Sequence, residues 1–285
     1  MIELEYAEVS WFINAHCKLQ CSYCHPEFKN GGLDKTLDQY LTVIEKLQQT
    51  RYKHHSKILW KIGGGEPLHF PHLSSILKKM RERPCIIRLD TSGDNSYFSA
   101  YGILNLIDRL RLTYHYWQND DIVGFILEQC LEKNIGVSII VPLAPGQIHE
   151  SREKVEHFRQ RGYVCNEQVL YDRDGKLHHG YSNIDLNRIH HRPDDEIIEP
   201  VVPKYIDLSV VNNTDPIYTG MPCYAGVDWL HINPKGFASY SHCGGRSEHY
   251  NVFNPDWQPP DNHFPCNVIQ CKNEKDRRTI RIVGS

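Results

Sequence analysis

Cys17, Cys21 and Cys24 stand in the run HCKLQCSYCHP at C-x3-C-x2-C spacing, with Tyr23 immediately before the third. Three thiolates can hold three irons of a cubane iron–sulfur cluster and leave the fourth iron without a protein ligand. An open position on a metal is where a substrate or cofactor is bound and activated. The next cysteine is Cys85, far along the chain, so the spacing points to a site that does chemistry. A zinc site built on Cys21 and Cys24 leaves a second run unexplained. That run is ILWKIGGGEP at 58–67, an apolar strand-like stretch ending in glycines and a carboxylate. Glycines let backbone approach a ligand closely, and Glu66 can accept charge-assisted hydrogen bonds from an ammonium.

In this order the triad and Gly64-Gly65-Glu66 resemble the radical S-adenosylmethionine enzymes. The resemblance implies a 4Fe–4S cluster on Cys17, Cys21 and Cys24, with the amine and carboxylate of S-adenosylmethionine on its unique iron. Gly64, Gly65 and Glu66 would bind the methionine amino group, with Tyr23 beside the cofactor. An electron from a donor such as flavodoxin or ferredoxin would cleave S-adenosylmethionine to methionine and a 5′-deoxyadenosyl radical, which takes a hydrogen atom from the substrate. The implied fold is α/β, a partial (β/α)6 TIM-like barrel whose ligands gather at the C-terminal strand ends. That rule groups Asp90, Ser92, His115, Tyr116, Val141 and Pro142. By resemblance Ser92 would contact the ribose or carboxylate, and Val141 and Pro142 the adenine. Asp90, His115 and Tyr116 are the candidates for a general base or radical quencher.

Cys223, Cys243, Cys266 and Cys271 form a second group. The stretch CYAGVDWLHINPKGFASYSHCGG resembles the opening of a SPASM domain, in its short twitch form because few cysteines remain. It predicts a small C-terminal hairpin domain with WLHIN and FASYSHC as strands and Pro234-Lys235-Gly236 as the turn. These four cysteines would hold a second, auxiliary 4Fe–4S cluster, with structural zinc as the alternative. The expected division is a barrel over 1–171, a connector over 172–222 and the auxiliary-cluster domain over 223–285. A fully ligated second cluster accepts electrons and so favours net oxidation of a small, natural-product-like substrate. A peptide or protein maturase is the alternative; with sixteen residues before Cys17 a separate leader-binding domain is not expected, which weakens it. A non-catalytic metal-binding module is the third reading. Cys85, Cys130 and Cys165 fall in apolar runs and are expected to be inert core residues.

The elements that must position these groups alternate. Apolar residues three and four apart predict helices over 36–52, 72–83, 102–110, 121–134 and 149–162. The last should stop at Gly162, and Asp120 or Asp121 should cap the fourth. Strands are predicted over 58–62, 85–93, 112–117, 136–143 and 163–171, with one more leading into the triad. Strands separated by helices imply a parallel sheet with right-handed crossovers. The 285 residues carry a net charge of −3 and no basic stripe, which speaks against nucleic acid. No run of eighteen apolar residues suggests a membrane span. Ten cysteines, without an apolar signal segment, are too sparse for a disulfide scaffold, so a reducing cytoplasm is expected. Seventeen histidines include the pairs His54/His55, His178/His179 and His190/His191, which are expected to be solvated.

Overall fold

The computed structural model describes residues 6–29, 31, 35–93, 102–172, 176–190, 222–240, 250–262 and 264–265. Six strands follow one another in the chain: β1 (Tyr6–Phe12), β2 (Lys57–Gly63), β3 (Cys85–Thr91), β4 (Arg109–Thr113), β5 (Gly136–Pro142) and β6 (Val164–Gln168). They also lie in that order in the sheet, each parallel to the next. The helices are α1 (Leu37–Arg51), α2 (Leu73–Met80), α3 (Asp120–Glu132), α4 (Ile148–Gln160) and α5 (Asn183–His190). A sheet that adds each new strand beside the last, without reversing direction, is the wall of a barrel. Here it is left open, as the partial-barrel expectation requires.

Strand alternation sorts the side chains by face. Val9, Trp11, Ile58, Trp60, Ile62, Ile87, Leu89, Leu110, Leu112, Ile139 and Val141 share one buried core with Ile44, Leu47, Ile76, Leu77, Val123, Ile126 and Phe158 of the helices. The alternate residues, among them Ser10, Lys61, Arg88, Asp90, Arg111 and Ser138, face the other side and are only half-buried. We call this the open face. α1 starts on a capping box: the Thr36 hydroxyl accepts from the Gln39 amide N–H, and Gln39 reaches back to the Thr36 N–H. Its buried residues are Tyr40, Val43, Ile44 and Leu47, with Leu37 and Leu41 on the margin of that stripe.

Two sequence expectations shift. The helix over 102–110 does not form. A single 3-10 turn at Ile103–Leu106 is followed by β4, which begins at Arg109 rather than 112. Leu110 and Leu112 alternate with Arg109, Arg111 and Thr113, a period of two that outweighs the short helical pattern before it. His115 and Tyr116 therefore lie in the loop beyond the strand. The cap of α3 is Asn119, whose side chain accepts from the Asp121 N–H at 2.8 Å. Asp120 and Asp121 instead occupy the first turn, where the helix dipole favours them. Gly162 ends α4 with φ +84°.

The C-terminal part contributes β7 (Pro222–Cys223), β8 (Trp229–Ile232), β9 (Phe237–Ser239), β10 (Tyr250–Asn251) and β11 (Phe264–Pro265). The expected hairpin is β8–β9, antiparallel. Its turn is closed by the Asn233 side chain, which accepts from the Lys235 and Phe237 N–H groups at 2.9 and 3.0 Å. β8 pairs in parallel with β1, so the hairpin extends the barrel sheet to nine strands. The last turns of α1 fasten this segment. Lys46 donates to the Pro255 and Trp257 carbonyls, Arg51 to Pro260 and Gly226, and His55 pairs with Asp228 at 3.0 Å. Among the described residues no helix is long and apolar enough to cross a membrane.

Candidate functional site: a three-thiol loop against a Gly-Gly-Glu turn

The triad loop leaves the C-terminal end of β1. Ile13 continues the ladder by donating to the Gly63 carbonyl at 2.9 Å. The loop is then folded back on itself by Gly31 N–H to Ala15 O (2.8 Å) and Cys17 N–H to Lys29 O (3.3 Å). Gln20 takes the left-handed conformation, φ 51°, which non-glycine residues seldom adopt. Its amide donates to the Cys17 carbonyl at 2.6 Å and to Lys29 O at 3.2 Å, securing the three-residue spacer. The two-residue spacer closes as a turn, Cys24 N–H to Cys21 O at 3.0 Å. All three thiols are free. Burial raises the pKa of each, that of Cys21 to about 11, and the three sense one another electrostatically. Lys29 opposes the rise at Cys17 and Cys24, and Glu66 adds to it at Cys17.

The Gly-Gly-Glu turn is stitched to this loop. Gly65 N–H donates to the Asn14 carbonyl (3.0 Å) and side-chain oxygen (3.1 Å), Glu66 N–H to His16 O (2.8 Å), and Asn14 Nδ2 to Glu66 O (2.9 Å). This contact explains the glycines. A Cβ on Gly64, whose φ is +145°, would meet Asn14 oxygens at 2.6 Å. One on Gly65 would meet the His16 carbonyl oxygen at 2.4 Å. The turn therefore needs glycine to seat the triad loop, a demand additional to any ligand. Glu66 is 1% exposed. Its Oε1 accepts from the Leu68 N–H (3.0 Å) and the Thr91 hydroxyl (2.5 Å), and its Oε2 from the Ser92 N–H (2.8 Å) and hydroxyl. The carboxylate thus ties the end of β2 to the end of β3.

A further line of contacts crosses to β4. The Tyr23 hydroxyl lies 2.5 Å from His115 Nδ1. The His115 N–H donates to Gln118 Oε1 (2.6 Å), and Gln118 Nε2 to the Ser92 carbonyl (2.6 Å). Burial lowers the His115 pKa to about 4, so the imidazole is neutral and Nδ1 can accept the phenol proton. Burial likewise raises the Tyr23 pKa. The His115 ring stacks on Trp117 at 5.0 Å, and Tyr116 packs edge-on against Trp117 at 4.8 Å.

The structure brings together Cys17, Cys21, Cys24, Tyr23, Gly64, Gly65, Glu66, Ser92 and His115. Tyr116 joins this group through its ring contact with Trp117. Asp90 lies on the open face, held by Arg88 at 2.8 Å and Arg111 at 2.6 Å. The Val141 side chain points into the helix-side core, and only its backbone reaches the strand end; Pro142 follows on the opposite face. Cys130 and Cys165 are buried core residues, whereas Cys85 is half-buried. Cys223 is buried and pairs through β7 with Phe264 of β11; Cys243, Cys266 and Cys271 lie outside the described residues. Asn14, Thr91, Gln20 and Gln118 carry the geometry without having been expected. A polar Asn14 closing the apolar run WFIN was the available signal.

No protein-family model matches the sequence, and no curated protein matches it significantly. Among solved structures, Streptococcus suis SuiB matches at 14% identity over 89% of this chain and 65% of that one, with a TM-score of 0.40. SuiB bound to S-adenosylmethionine gives 13%, the same coverage and the same score. BtrN in complex with AdoMet and 2-DOIA gives 14% identity, 90% and 85% coverage and a TM-score of 0.45. The chain thus spans 65% of the SuiB length. Overlaps this loose transfer no activity. In its own residues, the chain resembles the radical S-adenosylmethionine enzymes in motif order, in sequential parallel strands and in the meeting of triad and Gly-Gly-Glu at the C-terminal strand ends.

Proposed function

We propose that this protein is a radical S-adenosylmethionine enzyme. The observation that carries the proposal is the three-thiol loop docked by hydrogen bonds onto the Gly64–Glu66 turn. The donor set fits a 4Fe–4S cluster with one iron lacking a thiolate. Cys85 starts β3, at the opposite end of a seven-residue strand, roughly 20 Å away at 3.3 Å per residue. Cys130 and Cys165 are sealed in the core. When bound, the cluster would supply the electron that cleaves S-adenosylmethionine and so generates a radical able to take a hydrogen atom.

The chain's own residues position and shield. Asn14 and His16 hold the glycine turn against the loop, and Glu66 fixes the ends of β2 and β3. Tyr23, His115 and Trp117 form a cluster of ring contacts beside the triad loop. A flavodoxin- or ferredoxin-type donor is the partner this chemistry needs. Net oxidation of a small molecule is the preferred outcome, with Cys223, Cys243, Cys266 and Cys271 holding an electron-accepting second cluster. A peptide substrate is the second reading, supported by the open face, where Val164, Asn166 and Gln168 of β6 are all exposed.

Anaerobic reconstitution of the full chain tests both clusters. The wild type should bind about eight irons with matching sulfide and release 5′-deoxyadenosine and methionine on reduction. Changing Cys17, Cys21 and Cys24 together to alanine should leave about four irons and abolish cleavage. Cleavage that survives the triple change would sink the proposal, and one zinc in place of the remaining irons would remove the second cluster from it.

A further inference from the structure

Register places an unusual set of charges on the open face of the sheet. Lys61 is the cross-strand partner of Arg88, Arg88 of Arg109, and Asp90 of Arg111. Three cations thus sit side by side across β2, β3 and β4, and a fourth lies one step toward the C-terminal ends. Like charges directly opposite one another destabilise a sheet. Two carboxylates answer them. Glu8 pairs with Lys61. Asp90 takes both oxygens to Arg88, at 2.8 and 3.0 Å, and shares Oδ2 with Arg111 at 2.6 Å. Among the described residues no carboxylate pairs with Arg109, and none but Asp90 reaches Arg88 or Arg111. Among the described residues Arg88 and Arg111 thus share the single carboxylate of Asp90, and Arg109 adds a further positive charge beside them.

The centre of the stripe is partly covered, although Arg109 at its edge is exposed. The side chains of Arg88 and Asp90 are 22% and 13% exposed, and that of Arg111 is 37% exposed. Arg111 Nε is buried with no hydrogen-bond partner among the described residues. Burial lowers the Arg111 pKa, and Asp90 offsets this in part. An excess guanidinium with an orphaned donor, held in a partly desolvated place, is stabilised by an anion that accepts from it. The position fits a substrate rather than a structural ion. Asp90 immediately precedes Thr91 and Ser92, which hold Glu66, and it packs beside Gly63, where β2 gives way to the glycine turn.

We propose that Arg111, oriented by Asp90, and Arg109, on the same face of β4, bind a carboxylate or phosphate group carried by the substrate. Substrates of this enzyme are then anionic at neutral pH. Asp90 on this account is a positioning residue that holds the Arg88 and Arg111 guanidiniums, and its oxygens are not available as a base. The role given to the bound anion rests on the radical reading above, but the anion site itself does not.

The test uses the anaerobically reconstituted full chain, titrated with inorganic phosphate and then with citrate at ionic strength fixed by chloride. Wild type, Arg109→Gln and Arg109→Gln/Arg111→Gln are compared. The expected result is saturable binding by the wild type, weakened by about three-fold in the single variant and at least about ten-fold in the double. S-adenosylmethionine affinity in the same samples should stay within about two-fold. Arg109 is exposed, so the single variant reads the site even if the double variant fails to fold. Absent wild-type binding, or binding equal in all three proteins, overturns the proposal. So does a parallel loss of S-adenosylmethionine affinity, which would assign the stripe to that cofactor's own carboxylate. Iron content and S-adenosylmethionine cleavage, measured alongside, report on the radical reading separately.

Discussion

At the scale of single residues, Glu66 shows how a carboxylate can be committed to the scaffold. Each of its oxygens accepts from one backbone N–H, Leu68 on one side and Ser92 on the other, as well as from a hydroxyl. Hydroxyls can rotate to accept, but backbone N–H groups cannot. Glu66→Gln must therefore turn an NH2 toward one of two fixed donors, whichever way the amide faces. The expected cost is about 1–3 kcal/mol, the price of an unsatisfied buried group. Urea unfolding should show a lower midpoint with an unchanged slope. An unaltered midpoint would mean that the carboxylate is dispensable to the scaffold and free for a ligand. The sequence marked Glu66 as chemically important. That the residue also holds Thr91 and Ser92 depends on β2 and β3 being neighbours, which no local pattern states.

At the scale of elements, α1 does more than cover the sheet. Its last turn buries Arg51 completely, and Asp228 is the leading charge opposing the burial that lowers the Arg51 pKa to about 10. Asp228 also pairs with His55, both side chains being sealed from solvent. Asp228→Asn removes the leading counter-charge of a buried guanidinium, a change that typically costs about 3–5 kcal/mol. The variant should unfold at markedly lower denaturant, and limited proteolysis should cut near residues 226–262 first. Wild-type stability would show that water or the flanking carbonyls already compensate Arg51. The helices were largely legible because their apolar spacing is local. β4 was misplaced because a five-residue strand offers little periodicity and the preceding Ile103–Leu106 turn imitates a helix start.

At the scale of the whole molecule, the hairpin and the barrel wall are one sheet. β1 is flanked by β2 and β8, and Leu230, Ile232, Tyr240 and Trp257 share the core of Val9 and Trp11. A fragment of residues 1–171 would expose the β1 edge and that part of the core. Unpaired edges and uncovered apolar surface promote aggregation. The fragment should be insoluble or lack a cooperative transition by circular dichroism. A soluble, cooperatively folding fragment would show that the barrel portion is an independent domain.

The sequence by itself determined the triad spacing, the glycine–carboxylate turn, the alternation of strands and helices, and the hairpin turn at Pro234–Gly236. Each is written within a few consecutive residues, and each follows from local sterics or from the period of apolar side chains. Only the tertiary structure decided that Asn14 and His16 receive the glycine turn, that Tyr23 meets His115, and that β8 joins β1. It also decided that Lys61, Arg88, Arg109 and Arg111 stand together. These are pairings between residues dozens of positions apart, and strand order and register, which are properties of the packed sheet, bring them into contact.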